Sequence, residues 1–163
     1  MADERSYQSA PGMVPLFARA GVGLIPGASR LPFVGGRRAE QIPERVFTLS
    51  DVSVSRERLA SYQKVCGFSL SDALPPTYAH ILAFPLHLSL MTDPSFPFPA
   101  IGLVHIANEI TQHRPISAAE QLSVRVWPTP LAPHPRGRQF SLRTEISDVL
   151  GRCKRRFIRV LEF

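Results

Sequence analysis

One segment of the sequence is apolar on nearly every face that a helix could present. Residues 77–91 read Thr-Tyr-Ala-His-Ile-Leu-Ala-Phe-Pro-Leu-His-Leu-Ser-Leu-Met, a length sufficient for about four helical turns. A helix that is hydrophobic all round must be enclosed by other elements. Pro85 lacks an N–H group, which predicts a kink or the start of a second helical segment. We therefore predict a central helix, the most buried element of the fold, that ends before the proline-rich residues 93–99.

The sequence on either side of this segment predicts a sheet and one further helix. Ser55 is a suitable N-cap for that helix, and Gly67 is a suitable residue just past its end. Four of its residues recur at helical spacing and are predicted to be buried: Leu59, Tyr62, Val65 and Cys66. Five segments have the composition or the alternation of strands: Val46 to Asp51, Ile101 to Ile110, Gln121 to Trp127, Arg138 to Ile146 and Arg152 to Phe163. This order predicts an α+β fold in which an antiparallel meander covers the apolar helix.

The chain of 163 residues has the length of one domain preceded by an arm. Residues 1–45 are rich in Gly and Pro and show no sustained helical or strand period, which is typical of an arm or a long loop. Residues 46–163 are predicted to form the domain. Within it, Pro128 to Gly137 reads as a loop with four prolines, and Ser147 to Gly151 reads as a hairpin connection.

The net charge of +6 lies mostly in the last thirty residues. From His134 onward eight arginines and lysines face three acids, so five of the six surplus charges are there. These residues alternate with strand-forming residues, which favours a solvated sheet face. The next interpretation is that these basic residues bind the phosphates of an acyl carrier. Nucleic acid is the least favoured partner, because no recognised binding motif accompanies the charge.

Several classes of protein are not supported by the sequence. No run of about 18 apolar residues indicates a membrane span, and the first residues do not resemble a signal peptide, so we expect a cytoplasmic protein. Cys66 and Cys153 lack a metal-ligand spacing and predict no disulfide framework. Gly21-Val-Gly23 lacks the third glycine of a dinucleotide fingerprint.

Three stretches carry a family resemblance: Tyr62-Gln-Lys-Val-Cys-Gly-Phe68, then Leu74-Pro-Pro-Thr-Tyr-Ala-His-Ile-Leu-Ala-Phe-Pro-Leu86, then Gly102-Leu-Val-His-Ile106. They resemble the first repeat of the two-repeat MaoC-like acyl-thioester dehydratases, a family that includes the (R)-specific enoyl-thioester hydratases. His113-Arg-Pro-Ile116 and Glu120 to Val124 are similar to the family's strand-opening element. The resemblance implies a single hot-dog domain over residues 46–163, with an antiparallel sheet wrapped around a long central apolar helix.

The chemistry departs from the family. A catalytic MaoC-like repeat resembles Asp-x-Asn-Pro-x-His, and this chain contains no such string. Asp72 and His80 are the nearest pair in order, but Pro75-Pro76 separates them. The resemblance implies that such a repeat is the non-catalytic half that shapes the acyl tunnel, with a second, catalytic repeat expected where this chain ends at Phe163. No catalytic residue is identified. His80 is a candidate base because histidine titrates near neutrality, and the expected substrate-binding residues are Tyr78, His80, Leu82 and Phe84.

The remaining chemical candidates are weaker. His80 and His87 share a helix face but differ by about 10.5 Å of rise, so we expect no single metal to bridge them. His105 and His113 lack a carboxylate at useful spacing and are expected to be structural. Ser89 and Cys66 have no nucleophile motif around them. No metal and no organic cofactor is implied.

The resemblance therefore implies half of a dehydratase or hydratase that interconverts 3-hydroxyacyl and trans-2-enoyl thioesters of coenzyme A or acyl carrier protein. The expected partner is a second copy or another hot-dog domain, joined through the segment Ile101 to Ile110, which carries only one charged residue, Glu109. Two alternatives remain open. One is a stand-alone acyl-binding, lipid-binding or assembly module. The other is a hot-dog thioesterase, which needs a carboxylate over the helix start, with Asp72 or Glu109 as candidates.

Overall fold

The computed structural model describes residues 3–22, 41–148 and 153–162, the last range by its backbone. These residues contain three helices and seven strands. In chain order they are β1 (Asp3–Tyr7), α1 (Met13–Val22), β2 (Arg45–Val52), α2 (Arg56–Val65), α3 (Tyr78–Met91), β3 (Leu103–Glu109), β4 (Leu122–Pro128), β5 (Ala132–His134), β6 (Gly137–Asp148) and β7 (Cys153–Glu162). The α+β class is confirmed.

One sheet contains all seven strands, in the order β1-β2-β4-β6-β7-β3, with the short β5 paired to β6 outside this path. Every pairing is antiparallel except that of β1 with β2, which is parallel. β1 and β3 are therefore the two edges of the sheet. The strands that carry most of the basic residues, β6 and β7, lie inside it.

Helix α3 forms where the apolar segment predicts a helix, and it lies against β2, β4, β6 and α1. We predicted that the strands that follow this helix in the chain would cover it. The structure shows that β2 and α1, which precede the helix, also cover it. Leu86 is fully buried, whereas Ile81 is 49% exposed, so the helix is not enclosed on every side. Pro85 lies inside one continuous helix. The carbonyl that loses its helical donor to Pro85 belongs to Ile81, four residues earlier, at the exposed side.

The inward side chains of the sheet form the main core with α3. The predicted alternation is confirmed on β4 and β6, where every second residue is buried: Leu122, Val124 and Val126, then Phe140, Leu142, Thr144 and Ile146. Phe47 and Leu49 of β2 complete this wall. The core thus occupies the space between one face of the sheet and α3.

Helix α2 has the predicted ends but a different buried face. The Ser55 side chain accepts a hydrogen bond from the Arg58 N–H at 3.3 Å, and Gly67 has a φ of 72°, the left-handed conformation that favours glycine. The prediction that Val65 and Cys66 are buried is wrong, since both are exposed. The inward positions are Leu59 and Gln63, one turn apart. The Gln63 amide donates to the carbonyl of Ser71 at 3.0 Å, so a polar contact with the following loop sets the rotation of the helix.

The prediction of an irregular arm is wrong for residues 3–22, which form β1 and α1. Both elements contact the rest of the domain. β1 obtains its backbone partners from β2, and α1 buries Leu16 and Ala20 against Leu88 of α3. Residues 23–40 of the predicted arm lie outside the described residues.

Two predicted connections have mixed outcomes. The predicted loop from Pro128 to Gly137 includes the last residue of β4 and the short strand β5, because Pro is tolerated on a short edge strand. β6 and β7 pair antiparallel along ten residue pairs, as a hairpin requires, but residues 149–151 of the predicted turn lie outside the described residues.

Candidate functional site

The start of α3 is the position that the resemblance assigns to thioester binding. Thr77 is the N-cap residue, but its side chain does not cap the helix, because its Oγ1 accepts a hydrogen bond from the Tyr62 hydroxyl at 2.7 Å. The Tyr78 N–H donates to the carbonyl of Pro75 at 2.9 Å, and the His80 N–H donates to the carbonyl of Thr77 at 3.1 Å. A local turn therefore uses two of the backbone donors that a helix start offers to a ligand.

The four predicted substrate-binding residues lie on two opposite sides of α3. Tyr78 and Leu82 are four residues apart, as are His80 and Phe84, so the members of each pair are separated by about 40° around the helix axis. The two pairs are about 160° to 200° apart by the same geometry. Leu82 packs against the main core. The structure brings His80 and Phe84 together, with ring centroids 6.1 Å apart, and it does not bring all four residues to one chamber.

Tyr78 is the most buried of the four, at 4% exposure. Its ring meets the ring of Tyr62 edge to face at 5.2 Å, and the other side of Tyr62 stacks with Phe68 at 6.2 Å. Burial raises the pKa of the Tyr78 hydroxyl, and the positive charge of Arg58 offsets this effect in part. Tyr78 therefore stays a neutral hydroxyl at physiological pH and has the environment of a core residue.

The two histidines of α3 lie closer together than the helical rise implies. The ring centroids of His80 and His87 are 5.4 Å apart at an interplanar angle of 37°, because both side chains lean toward each other. His87 is 2% exposed, and its Nε2 shares a hydrogen bond of 2.7 Å with Oγ1 of Thr144 on β6. The helical rise between the two residues therefore overestimates the distance between their rings. In the described part of the chain, no group of three or more His, Cys, Asp or Glu side chains could hold a metal ion.

The carboxylates considered for a thioesterase lie at the surface. Asp72 is 63% exposed and forms an ion pair with Arg56 at 3.2 Å. Glu109 is exposed at the end of β3. Neither has an environment that would hold a carboxyl group as a general base beside the start of α3.

The other candidate side chains have structural partners or are solvated. Ser89 is buried, and its Oγ shares a hydrogen bond of 2.9 Å with the hydroxyl of Tyr7. The Nε2 atom of His105 contacts the carbonyl of Ala107 at 2.8 Å. Cys66 and His113 are exposed. The side chain of Cys153 lies outside the described residues.

Two polar clusters were not predicted from the sequence. Asp93, just past the end of α3, is buried and accepts hydrogen bonds from the backbone N–H and hydroxyl of Ser95. The signal for this turn was present, since an Asp two residues before a Ser is a common turn pattern. Thr144 was visible as a polar residue in the inward alternation of β6, between Leu142 and Ile146, but its histidine partner was not.

The predicted strand-opening element contains an ionic cluster. The Arg114 guanidinium donates to both carboxylate oxygens of Glu120, at 2.8 and 2.6 Å, and to Asp148 of β6 at 3.0 Å. The Ser117 N–H also donates to Glu120. Hydrogen bonding to Glu120, against a smaller opposing effect of burial, raises the pKa of Arg114. This bidentate geometry anchors the loop before β4 to the end of β6.

A cavity of about 600 Å³ lies elsewhere, between residues 41–46 and residues 127–131. Its lining includes Arg45, Trp127 and Leu131. None of the four predicted substrate-binding residues contributes to it. The substrate-binding assignment therefore stays a prediction that rests on the family resemblance.

Comparisons with known proteins support that resemblance. The chain is 38% identical, over 120 residues, to 3-hydroxyacyl-thioester dehydratase X of Mycobacterium tuberculosis. The crystal structure of HtdX from the same organism superposes with a TM-score of 0.67 at 33% identity and covers 72% of this chain. The chain is therefore similar to the acyl-thioester dehydratases, the family that the three stretches of sequence resemble. The predicted family and the predicted hot-dog fold are thereby confirmed.

The chain spans less than two thirds of the length of these relatives. The sequence match covers 42% of the dehydratase, and the structural match covers 51% of the HtdX chain. By contrast, a chain of the (3R)-hydroxyacyl-ACP dehydratase HadBC complex of M. tuberculosis is covered over 96% of its length, with a TM-score of 0.61 at 16% identity, a likeness of fold. No family model matches the chain. Among the described residues, no helix has the length and apolarity needed to cross a membrane.

Proposed function

We propose that this chain is the non-catalytic half of an acyl-thioester dehydratase or hydratase, which interconverts 3-hydroxyacyl and trans-2-enoyl thioesters. One observation carries the proposal. The sequence matches 42% of a 3-hydroxyacyl-thioester dehydratase and contains no Asp-x-Asn-Pro-x-His string. The acyl group would be carried by coenzyme A or by acyl carrier protein.

The start of α3 supports a non-catalytic role. Dehydration needs a base and an acid beside the acyl chain and N–H donors aimed at the thioester oxygen. Pro75 and Pro76, just before α3, have no N–H to donate, and the N–H groups of Tyr78 and His80 are used within the turn. The carboxylate nearest in sequence before His80, that of Asp72, is paired with Arg56 at the surface.

The proposed contribution of this chain is the wall of the acyl tunnel and an interface. His80 and Phe84 line one side of α3, and Ile81 next to them is 49% exposed. The edge strand β3 also exposes Val104 and Ile106. Apolar surface of this kind is suited to a second hot-dog domain, which would supply the catalytic Asp and His.

The test is the hydration of crotonyl-coenzyme A by the purified chain. We expect no turnover above background for the chain alone. Mixed with a hot-dog chain that carries Asp-x-Asn-Pro-x-His, it should raise that partner's kcat/KM for longer enoyl chains. The His80→Ala variant should change stability or ligand affinity only, with the exposed His113→Ala as its matched control.

Turnover by the pure chain that His80→Ala abolishes and His113→Ala retains would overturn the proposal. That result would make His80 the catalytic base. It would also place the whole reaction in a single repeat.

A further inference from the structure

The two edges of the sheet differ in sequence and in exposure of apolar groups. β1 has five residues, of which Asp3, Glu4 and Arg5 are charged. β3 has seven residues. Its ionisable side chains are those of His105 and Glu109. Charged side chains on an edge strand discourage the addition of another strand. The β1 edge is therefore protected, and the β3 edge is not.

β1 covers a strand that would otherwise be an edge. It runs parallel to β2 with five residue pairs, from Asp3 opposite Arg45 to Tyr7 opposite Leu49. The ring of Tyr7 lies 5.9 Å from the ring of the fully buried Phe47. The guanidinium of Arg5 lies 5.3 Å from the centre of the Tyr7 ring. Without β1, the apolar strand β2 would present unpaired backbone groups to solvent.

One buried carboxylate holds β1 in place. The side chain of Asp93 is 5% exposed and accepts from Nη1 of Arg45 at 2.9 Å and from Nη1 of Arg5 at 3.5 Å. Arg45 also pairs with Asp3 of β1 at 3.1 Å through Nη2. The hydrogen bond between Tyr7 and Ser89 adds a second link from β1 to α3. Asp93 thus joins β1, β2 and the end of α3.

Helix α1 continues the same attachment. Leu16 and Ala20 are buried with Leu88 of α3 in a cluster separate from the main core. α1 also exposes Val14 and Phe17. Residues 3–22 therefore lie across one side of the domain and contact it through β2 and the second half of α3.

We propose that residues 3–22 form a clasp that closes the β2 edge of the sheet, with Asp93 as its anchor. Among the described residues, the clasp leaves β3 as the edge of the sheet that is open to strand addition. Association through this single edge rests on the proposed pairing with a second hot-dog domain. An association through a single edge stops at two domains, whereas a sheet open at both edges can extend without closing.

The test compares Asp93→Asn with Asp72→Asn in the chain of 163 residues. Both changes remove one carboxylate charge beside an arginine, and the pair of Asp72 with Arg56 is exposed and includes no residue of β1. In Asp93→Asn we expect the amides of residues 3–7, and those that β2 directs at β1, to exchange hydrogen roughly ten-fold faster. Sedimentation velocity should then show species larger than the wild-type assembly. Asp72→Asn should match the wild type in both measurements.

Asp93 also orders its own turn through Ser95, so Arg5→Gln and Arg45→Gln serve as second variants that leave the turn intact. They should reproduce the faster exchange of β1. Unchanged exchange of residues 3–7 in Arg45→Gln, or an assembly size that stays the same when β1 exchanges faster, would overturn the proposal. A monomeric wild-type chain would instead count against the proposed pairing at β3, since the exchange of β1 does not depend on that edge.

Discussion

The contact between His87 and Thr144 shows how a single polar group can matter inside this domain. Both residues are at most 2% exposed, and they share one hydrogen bond between α3 and β6. A buried polar group that loses its partner incurs a desolvation cost that an exposed group does not. This bond therefore helps to set the position of α3 on the sheet.

We expect Thr144→Val to lower the free energy of unfolding by about 1–3 kcal/mol, because the isosteric change removes one partner of a buried histidine. The matched control is Thr48→Val, which removes the exposed hydrogen bond from Thr48 to Ser6 and should cost less than about 0.5 kcal/mol. Urea titration of both variants provides the comparison. Equal losses would show that burial of this hydrogen bond has no special role.

Asp93 should make stability depend on acidity. Burial alone would raise the pKa of this carboxyl, but the hydrogen bonds from Ser95 and the charges of Arg45 and Arg5 outweigh that effect, so the pKa is lowered. A lowered folded-state pKa gives stability that is present above the unfolded value, about 3.9, and lost as the pH falls through the folded value.

The stability difference between the wild type and Asp93→Asn should therefore be constant above about pH 5 and shrink below about pH 4. Denaturant melts from pH 7 to pH 3 measure it. A difference that grows as the pH falls would contradict the direction of the shift.

At the scale of elements, α3 combines a fully buried side with a side that the described residues leave open. Leu86 is 0% exposed, Leu82 is partly buried against the core, and Ile81 is 49% exposed. These residues lie within two turns of one helix. Their substitutions should therefore report burial at fixed secondary structure.

Leu86→Ala should cost about 2–5 kcal/mol in denaturant melts, since it removes a fully buried side chain. Leu82→Ala should cost less than Leu86→Ala, and Ile81→Ala should stay near the scale of surface substitutions, about 0.5 kcal/mol. A loss below about 0.5 kcal/mol for Leu86→Ala would reject α3 as the core of the fold.

At the scale of the whole molecule, the sheet has one edge protected by charge and one edge with exposed apolar residues. β3 exposes Val104 and Ile106, at 43% and 42%. An edge strand with little charge is a pairing site unless something covers it. Association through β3 would continue the sheet into a second hot-dog domain.

We expect a mass above that of a monomer by light scattering at micromolar concentration. Ile106→Lys should return the chain to a monomer, because the added charge opposes strand addition at β3. Val14→Lys serves as the control, since Val14 is 81% exposed on α1 and away from this edge. A strictly monomeric wild-type chain would reject pairing through β3.

Local patterns were sufficient to predict most elements. The all-round apolar segment predicted α3, the alternation on β4 and β6 predicted their buried faces, and Ser55 and Gly67 predicted the ends of α2. Each of these signals depends on neighbours within a few residues, since helical and strand periods and caps are local properties. The family resemblance depended on short stretches of the same kind.

Only the tertiary structure determined the contacts between residues far apart in the chain. β2 supplies the backbone partners of β1, and α3 supplies the surface against which α1 is buried. The Asp93 cluster joins residues separated by 48 and 88 positions, and the His87 to Thr144 bond spans 57 positions. The rotation of α2 likewise follows from the loop that Gln63 contacts. Such pairings depend on how the sheet closes over α3, and local propensity carries no information about that closure.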